Sequence, residues 1–187
     1  LASDGCKLLH GRRVGLITNH TGRSVEGEST IDLLSKATGV RLVALFSPEH
    51  GIRGQVDDEV ASSRDEKTGL PVYSLYGETL RPTARMLEGI DTLVYDIQDV
   101  GARVYTFEWT LALAAKAVGA AKKTVVVLDR PDPIRADRYE GNILDQKFSS
   151  LVGLYPVAMR YGLTPGELLR FLVGTHQLEA DVKVVPM

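Results

Sequence analysis

The chain has 187 residues, of which 44% are apolar and 25% are charged, and its formal net charge is −2. These values are typical of one globular domain, or of one domain with part of another, and they exclude the basic footprint of a nucleic-acid-binding protein. No apolar run is long enough to cross a membrane. The single cysteine, Cys6, excludes an internal disulfide and any metal site built from several cysteines.

The first half of the chain predicts three strands and two helices, with a long polar loop between them. The strands are predicted at residues 12–19, 40–46 and 72–75, the helices at 30–37 and 82–88, and the loop at 47–69. The second helix has a proline in its first turn, where proline is well tolerated. A loop of this length within a compact domain is usually functional or disordered.

The second half predicts strands at residues 92–97, 124–128 and 182–185, and an alanine- and leucine-rich helix at 106–118. A further helix begins at Thr164 and ends near Val173, because Thr164, Pro165 and Glu167 form a capping-box pattern with proline at the first helical position. Strands that are apolar on both faces alternate with helices. This pattern predicts an α/β fold, with a mainly parallel sheet covered by helices on both faces.

Four of the predicted strands end in polar residues. These endings are Thr18-Asn19-His20, Ser47-Pro48-Glu49-His50, Asp96-Ile97-Gln98-Asp99 and Asp129-Arg130. The carboxyl ends of parallel strands lie at one edge of a sheet, and ligands of open α/β sheets bind at that edge. The sequence therefore predicts a binding or catalytic site there.

Glu49 is the strongest single candidate for a catalytic residue. Pro48, Gly51 and Gly54 favour a turn that would hold Glu49 and His50 at fixed angles at the end of a buried strand. The alternative is an exposed turn carboxylate that caps a backbone amide. Either histidine of the polar strand ends, His20 or His50, would orient Glu49, bind substrate or satisfy a buried backbone group.

Asp96 and Asp99 are candidates for the second carboxylate of a hydrolytic pair, and the alternative for Asp99 is a cap on the helix that follows. Arg103 and Tyr105 lie close to the same edge. An arginine there would clamp a carboxylate or phosphate, or form a salt bridge with Asp96 or Asp99. Asp129 would contact substrate, pair with the adjacent arginine or hold the end of its strand in place.

No cofactor or metal is expected from the motifs. The first strand is not followed by the Gly-x-Gly-x-x-Gly pattern, and neither a Gly-Lys-Ser/Thr phosphate loop nor a Gly-x-Ser-x-Gly elbow is present. A zinc site built from His20, Glu49, His50 and Asp96 is the alternative, although tight metal spacing such as His-x-x-x-His is absent.

Six motifs resemble one known family in their order and spacing. They are GLITNHTG at residues 15–22, SPEHGIRG at 47–54, TGLPVYSLYG at 68–77, YDIQDVGARVYT at 95–106, LDRPDP at 128–133 and RYGLTPGEL at 160–168. The family is that of the exo-β-N-acetylmuramidases, the NamZ-type glycoside hydrolases long described as a domain of unknown function (DUF1343). The motifs are specific and run through nearly the whole chain.

The resemblance implies that residues 1–187 form a Rossmann-like N-terminal domain, followed in the longer protein by a smaller C-terminal domain. It also implies an extracytoplasmic enzyme that removes N-acetylmuramic acid from the non-reducing ends of peptidoglycan fragments. The glutamate of the family's SPEHG motif, the proposed catalytic residue, is Glu49 here. One departure is Tyr161, where the family usually has histidine, and it would change substrate preference if that position contacts the sugar.

Glycoside hydrolysis usually needs two carboxyl groups. Glu49 would be the acid, and either Asp96 or Asp99 would be its partner, unless the substrate's N-acetyl group acts as an internal nucleophile. Arg53 or Arg103 would suit the lactyl carboxylate of muramic acid. The residues predicted to bind substrate are Asn19, His20, His50, Arg53, Gln98, Arg103, Tyr105 and Asp129.

Two other functions stay open at this point. The same polar edge would also serve a non-catalytic module that binds cell-wall sugars, or a metal-dependent hydrolase of another small polar substrate. In each case the predicted partners are small saccharides or similar molecules, with no nucleic acid and no membrane span.

Overall fold

A computed structural model describes residues 1, 4–49, 51–52 and 63–187. In this part of the chain the strands are β1 (Arg13–Thr18), β2 (Arg41–Ser47), β3 (Ser63–Arg64), β4 (Pro71–Ser74), β5 (Thr92–Asp96), β6 (Thr124–Leu128), β7 (Glu140–Ile143), β8 (Ala158–Arg160) and β9 (Asp181–Val185). The α-helices are α1 (Thr30–Lys36), α2 (Phe107–Ala120) and α3 (Pro165–Gly174).

Seven of the described strands form one sheet in the order β3-β4-β2-β1-β5-β6-β9. Every neighbouring pair is parallel except β3 with β4. The predicted mainly parallel α/β sheet is therefore confirmed. Because β1, β2, β5 and β6 are adjacent and parallel, their polar carboxyl ends lie along one edge of the sheet.

Helices cover both faces of the sheet, as predicted. On one face, apolar residues of α2 and α3 such as Trp109 and Leu169 form one core cluster with Tyr95 and Val127. On the other face, residues of α1 form a second cluster with the alternate strand positions, among them Val94. All five residues of β5 are buried, which is expected of a central strand that packs on both sides.

The capping box of α3 is present as predicted. The side chain of Thr164 accepts a hydrogen bond from the backbone N–H of Glu167 (3.2 Å), and the Glu167 carboxylate accepts one from the backbone N–H of Thr164 (2.9 Å). These two bonds satisfy donors that the first turn of a helix leaves without a partner. They fix the first turn of α3 beside the end of β6.

The helix predicted at residues 82–88 is wrong, because the structure has turns there. The N–H of Leu87 donates to the carbonyl of Thr83 (3.1 Å), but the next bond already reaches back only three residues, from Glu88 to Arg85 (3.2 Å). Gly89 then adopts a φ of +72°, which ends the segment. A single bond of this four-residue spacing does not offset the cost of helix nucleation.

Two other features differ from the predicted loops. The loop predicted at 47–69 contains strand β3, which pairs antiparallel with β4 at the edge of the sheet. The segment after β6 contains the separate hairpin of β7 and β8. Both are short, and every residue of β3 and β7 is exposed, so they lack the apolar alternation that identifies a strand. In the described part of the chain, no helix is both long and apolar enough to span a bilayer.

Candidate active site

Glu49 lies immediately after β2, in a turn at the carboxyl edge of the sheet. The N–H of Gly51 donates to the carbonyl of Pro48 (3.2 Å), and Gly51 has a φ of +77°, a conformation that glycine adopts without strain. The Glu49 side chain is half-buried, and its Oε2 accepts a hydrogen bond from Oγ1 of Thr106 (2.6 Å). The carboxylate is therefore held by the protein and does not extend freely into solvent.

Thr106 is the N-cap residue of α2, and it brings the start of that helix to Glu49. Its side chain makes no capping bond to the helix and instead donates to the Glu49 carboxylate. The N-terminus of an α-helix carries partial positive charge, which favours a nearby carboxylate. The end of β2 and the start of α2 thus form one wall of the candidate site.

Tyr105 connects Glu49 to two further carboxyl groups. Burial raises the pKa of the Tyr105 hydroxyl, and the negative charges of Glu108, Asp99 and Glu49 raise it further. The hydroxyl therefore lies within electrostatic range of all three acids. The Tyr105 ring packs edge-on against Phe107, with ring centroids 4.8 Å apart.

Asp99 and Glu108 are buried beneath this wall. Oδ2 of Asp99 accepts hydrogen bonds from the backbone N–H of Gly101 (2.9 Å) and from the hydroxyl of Tyr161. Burial and the contact with Asp99 raise the pKa of Glu108 well above its usual range. Burial also raises the pKa of Tyr161, with further contributions from Glu108 and Asp99, so its hydroxyl stays a donor.

Asp96 lies at the same edge but on the opposite face of the sheet. Its carboxylate accepts hydrogen bonds from Thr30 in the first turn of α1 and from Nε of Arg130 (2.7 Å). Gly22 packs so closely here that a Cβ would collide with Oγ1 of Thr18 and with the carbonyl of Asp96. The structure therefore pairs Asp96 with α1 and Arg130, whereas Glu49 contacts α2.

Arg103 braces the β7–β8 hairpin. Its Nη1 donates to the carbonyls of Asn142 (2.8 Å) and Val157 (2.7 Å), and its backbone N–H donates to the carbonyl of Met159 (2.8 Å). The residue is only 5% exposed. Neither salt bridge considered from the sequence, to Asp96 or to Asp99, is among its described contacts.

Asp129 anchors the start of α3. Its Oδ2 accepts from Oγ1 of Thr164 (2.7 Å), and its Oδ1 accepts from the N–H of Gly166 (2.8 Å). The considered pair between Asp129 and Arg130 is not what the structure shows, because Arg130 points to Asp96. The geometry matches the alternative in which Asp129 holds the end of its strand.

A polar network joins the ends of β1 and β5. Oδ1 of Asn19 accepts from the backbone N–H (2.9 Å) and Oγ1 (2.6 Å) of Thr21, and that Oγ1 accepts from the backbone N–H of Gln98 (2.9 Å). Nε2 of Gln98 donates to the carbonyls of Asp99 and Pro131 (both 2.8 Å). Asn19 and the exposed His20 line a small cavity of about 190 Å³.

Two predicted site residues, His50 and Arg53, lie outside the described residues. Within the described ranges, no group of three or more histidine, cysteine, aspartate or glutamate side chains is arranged to hold a metal ion. The structure thus places Glu49 in contact with Thr106 at the start of α2, with the Tyr105 hydroxyl within electrostatic range of Glu49 and Asp99. It places Asp96, Arg103 and Asp129 in separate contacts.

Three residues of this site were not proposed for it from the sequence: Thr106, Glu108 and Tyr161. Thr106 was expected only as the start of a helix, and Tyr161 was noted only as a departure from the resembled family. A signal for Glu108 was present, because the only carboxylate of a helix rich in alanine and leucine stands between Phe107 and Trp109. A charge on the buried face of a helix needs a partner.

The fold and site define an α/β domain whose acidic residues converge at the carboxyl edge of a mainly parallel sheet. The sequence profile described as "Exo-beta-N-acetylmuramidase NamZ, N-terminal" matches residues 14–187. The chain therefore belongs to the family of NamZ N-terminal domains.

Three relatives show the extent of the similarity. The chain is 47% identical over 189 residues to the peptidoglycan β-N-acetylmuramidase NamZ of Bacillus subtilis (strain 168), covering 100% of this chain and 46% of that protein. One DUF1343 family crystal structure from Bacteroides fragilis NCTC 9343 superposes with a TM-score of 0.92 at 46% identity, covering 100% of this chain and 47% of the other. A second, from the same strain, has a TM-score of 0.85 at 33% identity, with 99% and 49% covered. The chain thus spans about half the length of these relatives.

Proposed function

We propose that the full-length protein is an exo-β-N-acetylmuramidase that releases N-acetylmuramic acid from the non-reducing ends of peptidoglycan fragments. The main support for this proposal is the position of Glu49. It belongs to the SPEHG motif, follows β2 at the ligand-binding edge and is held by Thr106 at the start of α2. The 47% identity to a peptidoglycan β-N-acetylmuramidase supports the same substrate class.

Glu49 acts in this proposal as the general acid and later as the general base. Because the Thr106 hydroxyl donates to Oε2, that oxygen serves as an acceptor and Oε1 carries the transferable proton. Protonation of the glycosidic oxygen allows the bond to the anomeric carbon to break. The deprotonated Glu49 then accepts a proton from the water that completes hydrolysis.

The second catalytic role falls to the substrate's own N-acetyl group in this proposal. Asp96 is 1% exposed and already paired with Arg130, and Asp99 is fully buried, so neither carboxylate faces an incoming sugar. The N-acetyl oxygen is positioned by its own covalent link to attack the anomeric carbon as the glycosidic bond breaks, and the water that Glu49 deprotonates then displaces this oxygen from the carbon. Of the two aspartates, Asp99 is the one that shares the electrostatic environment of Glu49.

Hydrolysis of a chromogenic N-acetyl-β-muramide by the full-length protein tests this function. The matched control substrate is the corresponding N-acetyl-β-glucosaminide, which lacks only the lactyl group. We expect the muramide to be preferred by at least about tenfold in kcat/KM. The polar groups of the site that bind the lactyl carboxylate would have no partner when the glucosaminide is bound.

The other outcomes separate the alternatives. Equal cleavage of both substrates would contradict the muramic-acid specificity. Binding of a muramic-acid disaccharide without cleavage would favour a sugar-binding module, and activity that a chelator abolishes and zinc restores would favour a metal-dependent hydrolase. The proposal also implies an extracytoplasmic location, where peptidoglycan lies, and cell fractionation tests it.

A further inference from the structure

Two carboxyl groups, those of Asp99 and Glu108, are buried against each other near the start of α2. Asp99 is 0% exposed and Glu108 is 1% exposed. Oδ2 of Asp99 has two donors, but in the described part of the chain Oδ1 of Asp99 and both carboxyl oxygens of Glu108 have none. Two adjacent buried carboxylates with so few donors cannot both be ionised.

A single proton between the two groups removes this conflict. A neutral Glu108 becomes a hydrogen-bond donor, and the donorless Oδ1 of Asp99 is an acceptor for it. Asp99 keeps its negative charge, which the Gly101 N–H and the Tyr161 hydroxyl stabilise. Burial first and then the contact with Asp99 raise the pKa of Glu108, and they outweigh the lowering by its own backbone N–H and by the Tyr161 hydroxyl, which agrees with this assignment.

The contact between Asp99 and Glu108 joins the two ends of the segment at residues 99–108, which supports Glu49. Asp99 stands at the beginning of this segment and Glu108 at its end, with Tyr105 and Thr106 between them. A hydrogen bond from Nε1 of Trp109 to the carbonyl of Arg103 (2.7 Å) also ties the start of α2 to the middle of this segment. Thr106, which holds the Glu49 carboxylate, lies only two residues before Glu108, so a shift of the first turn of α2 at Glu108 would move Thr106 as well.

We propose that neutral Glu108 donates a hydrogen bond to Asp99, and that this one-proton pair is the positioning device that holds Thr106 against Glu49. Tyr161 fixes the pair from the segment after β8. The positioning role rests on the function proposed above, whereas the shared proton does not.

The groups that face Glu108 come from every element packed around it. They are Asp99 from the segment after β5, Tyr161 from the segment after β8, Tyr95 from β5 itself and Tyr105 from the segment before α2. Within the described residues, the side chains that act on Glu108 include no lysine, arginine or histidine. A shared proton, and not a cation, thus balances the charge.

The proton links folding to pH with a definite sign. Since the pKa of Glu108 is raised in the folded protein, the folded state holds this proton over a range in which the unfolded chain has lost it. Its stabilisation is complete below the pKa of the unfolded chain and is lost as pH rises through the folded pKa. Within that window, one proton multiplies the unfolding equilibrium constant by about tenfold per pH unit.

Glu108→Gln in the full-length protein tests the shared proton. Glutamine keeps the shape and donates permanently to Asp99, but it does not titrate, so this tenfold slope above the usual pKa of glutamate is expected to disappear from urea unfolding curves. Glu88→Gln, the same change at an exposed position, is the matched control and should keep the wild-type slope. An unchanged slope in Glu108→Gln would overturn the shared proton.

Glu108→Leu tests the positioning role by removing the donor. Its kcat on the chromogenic muramide is expected to fall by about 10- to 100-fold with little change in KM, because small displacements of a catalytic group have effects of this size. Glu108→Gln should restore most of that loss. If both variants have the same kcat, or if only KM changes, the positioning role is wrong.

A failure of the proposed muramidase function can be told apart from a failure of the shared proton. A wild-type protein without muramidase activity refutes the proposed function, and with it the positioning role. The unfolding measurements on Glu108→Gln and Glu88→Gln still decide whether the proton is shared. If Glu108→Leu does not fold, the pH dependence of kcat in Glu108→Gln replaces it, and a profile identical to wild type would contradict the proposal.

Discussion

Glu49→Gln in the full-length protein is expected to lower kcat for release of N-acetylmuramic acid by about 10²- to 10⁴-fold, the usual contribution of a general acid and base. The amide oxygen of glutamine still accepts the hydrogen bond from Thr106, so the turn after β2 should keep its position. The amide has no proton to transfer to the leaving oxygen. Steady-state hydrolysis of a chromogenic N-acetyl-β-muramide measures the loss, and KM should change little.

The leaving group provides an internal control for this prediction. A dinitrophenolate leaves without protonation, so in the step that breaks the glycosidic bond Glu49→Gln should lose much less activity towards a dinitrophenyl muramide than towards one with a poor leaving group. Glu88→Gln should match wild type on both substrates, because Glu88 is an exposed residue outside the site. Near-wild-type turnover of the poor substrate by Glu49→Gln would rule out the acid role.

Asp96→Ala is expected to lower the free energy of unfolding by about 3–5 kcal/mol, because it leaves a partly buried arginine without its partner. The Asp96 side chain is 1% exposed and that of Arg130 is 22% exposed, with 2.7 Å between Oδ1 and Nε. The change also removes the acceptor of Thr30 at the start of α1. Urea unfolding of the full-length protein, followed by circular dichroism, measures the difference.

Asp91→Ala is the matched control for Asp96→Ala. Asp91 pairs with Arg13 at a similar distance of 2.8 Å, but the two side chains are 31% and 48% exposed. Such exposed pairs contribute only about 0–1 kcal/mol. Equal losses for both variants would contradict the view that Asp96 mainly joins β5 to α1.

Much of the sheet could be predicted because its strands are apolar on both faces. The predicted strand at residues 124–128 coincides with β6, and α3 begins where the Thr164 capping box indicated. Parallel topology then placed Asn19, Glu49, Asp99 and Asp129 at one edge without any knowledge of their contacts. Local pattern and topology agree in this part of the chain.

The wrong helix at residues 82–88 and the unpredicted β7–β8 hairpin have a common physical cause: local sequence does not decide the structure of either segment. The segment at 82–88 has helix-forming residues, but its hydrogen bonds change from four-residue to three-residue spacing before Gly89 ends the run. The β7–β8 hairpin is stabilised by distant contacts, including the bonds from Arg103 to Asn142 and Val157. Contacts between residues so far apart along the chain leave no periodic signal in the segment itself.

The partners of each acid could not be predicted, because one residue of register decides which face a side chain reaches. Asp96 turns towards α1, whereas Asp99, three residues later, turns towards Tyr161 and Glu108. Both sit in the same motif. Glu108 could be seen as a lone carboxylate in an apolar helix, but its partner became evident only once α2 was packed on the sheet.

In the proposed mechanism the side chain at position 49 contacts the scissile bond of a muramic-acid glycoside. A crystal structure of the full-length Glu49→Gln variant with an uncleaved N-acetylmuramyl disaccharide measures this contact directly. We expect the bridging oxygen within about 3 Å of that side chain, with the sugar beside Tyr105 and Thr106. A disaccharide seated on the α1 face beside Asp96, with its bridging oxygen out of hydrogen-bond reach of position 49, would contradict it.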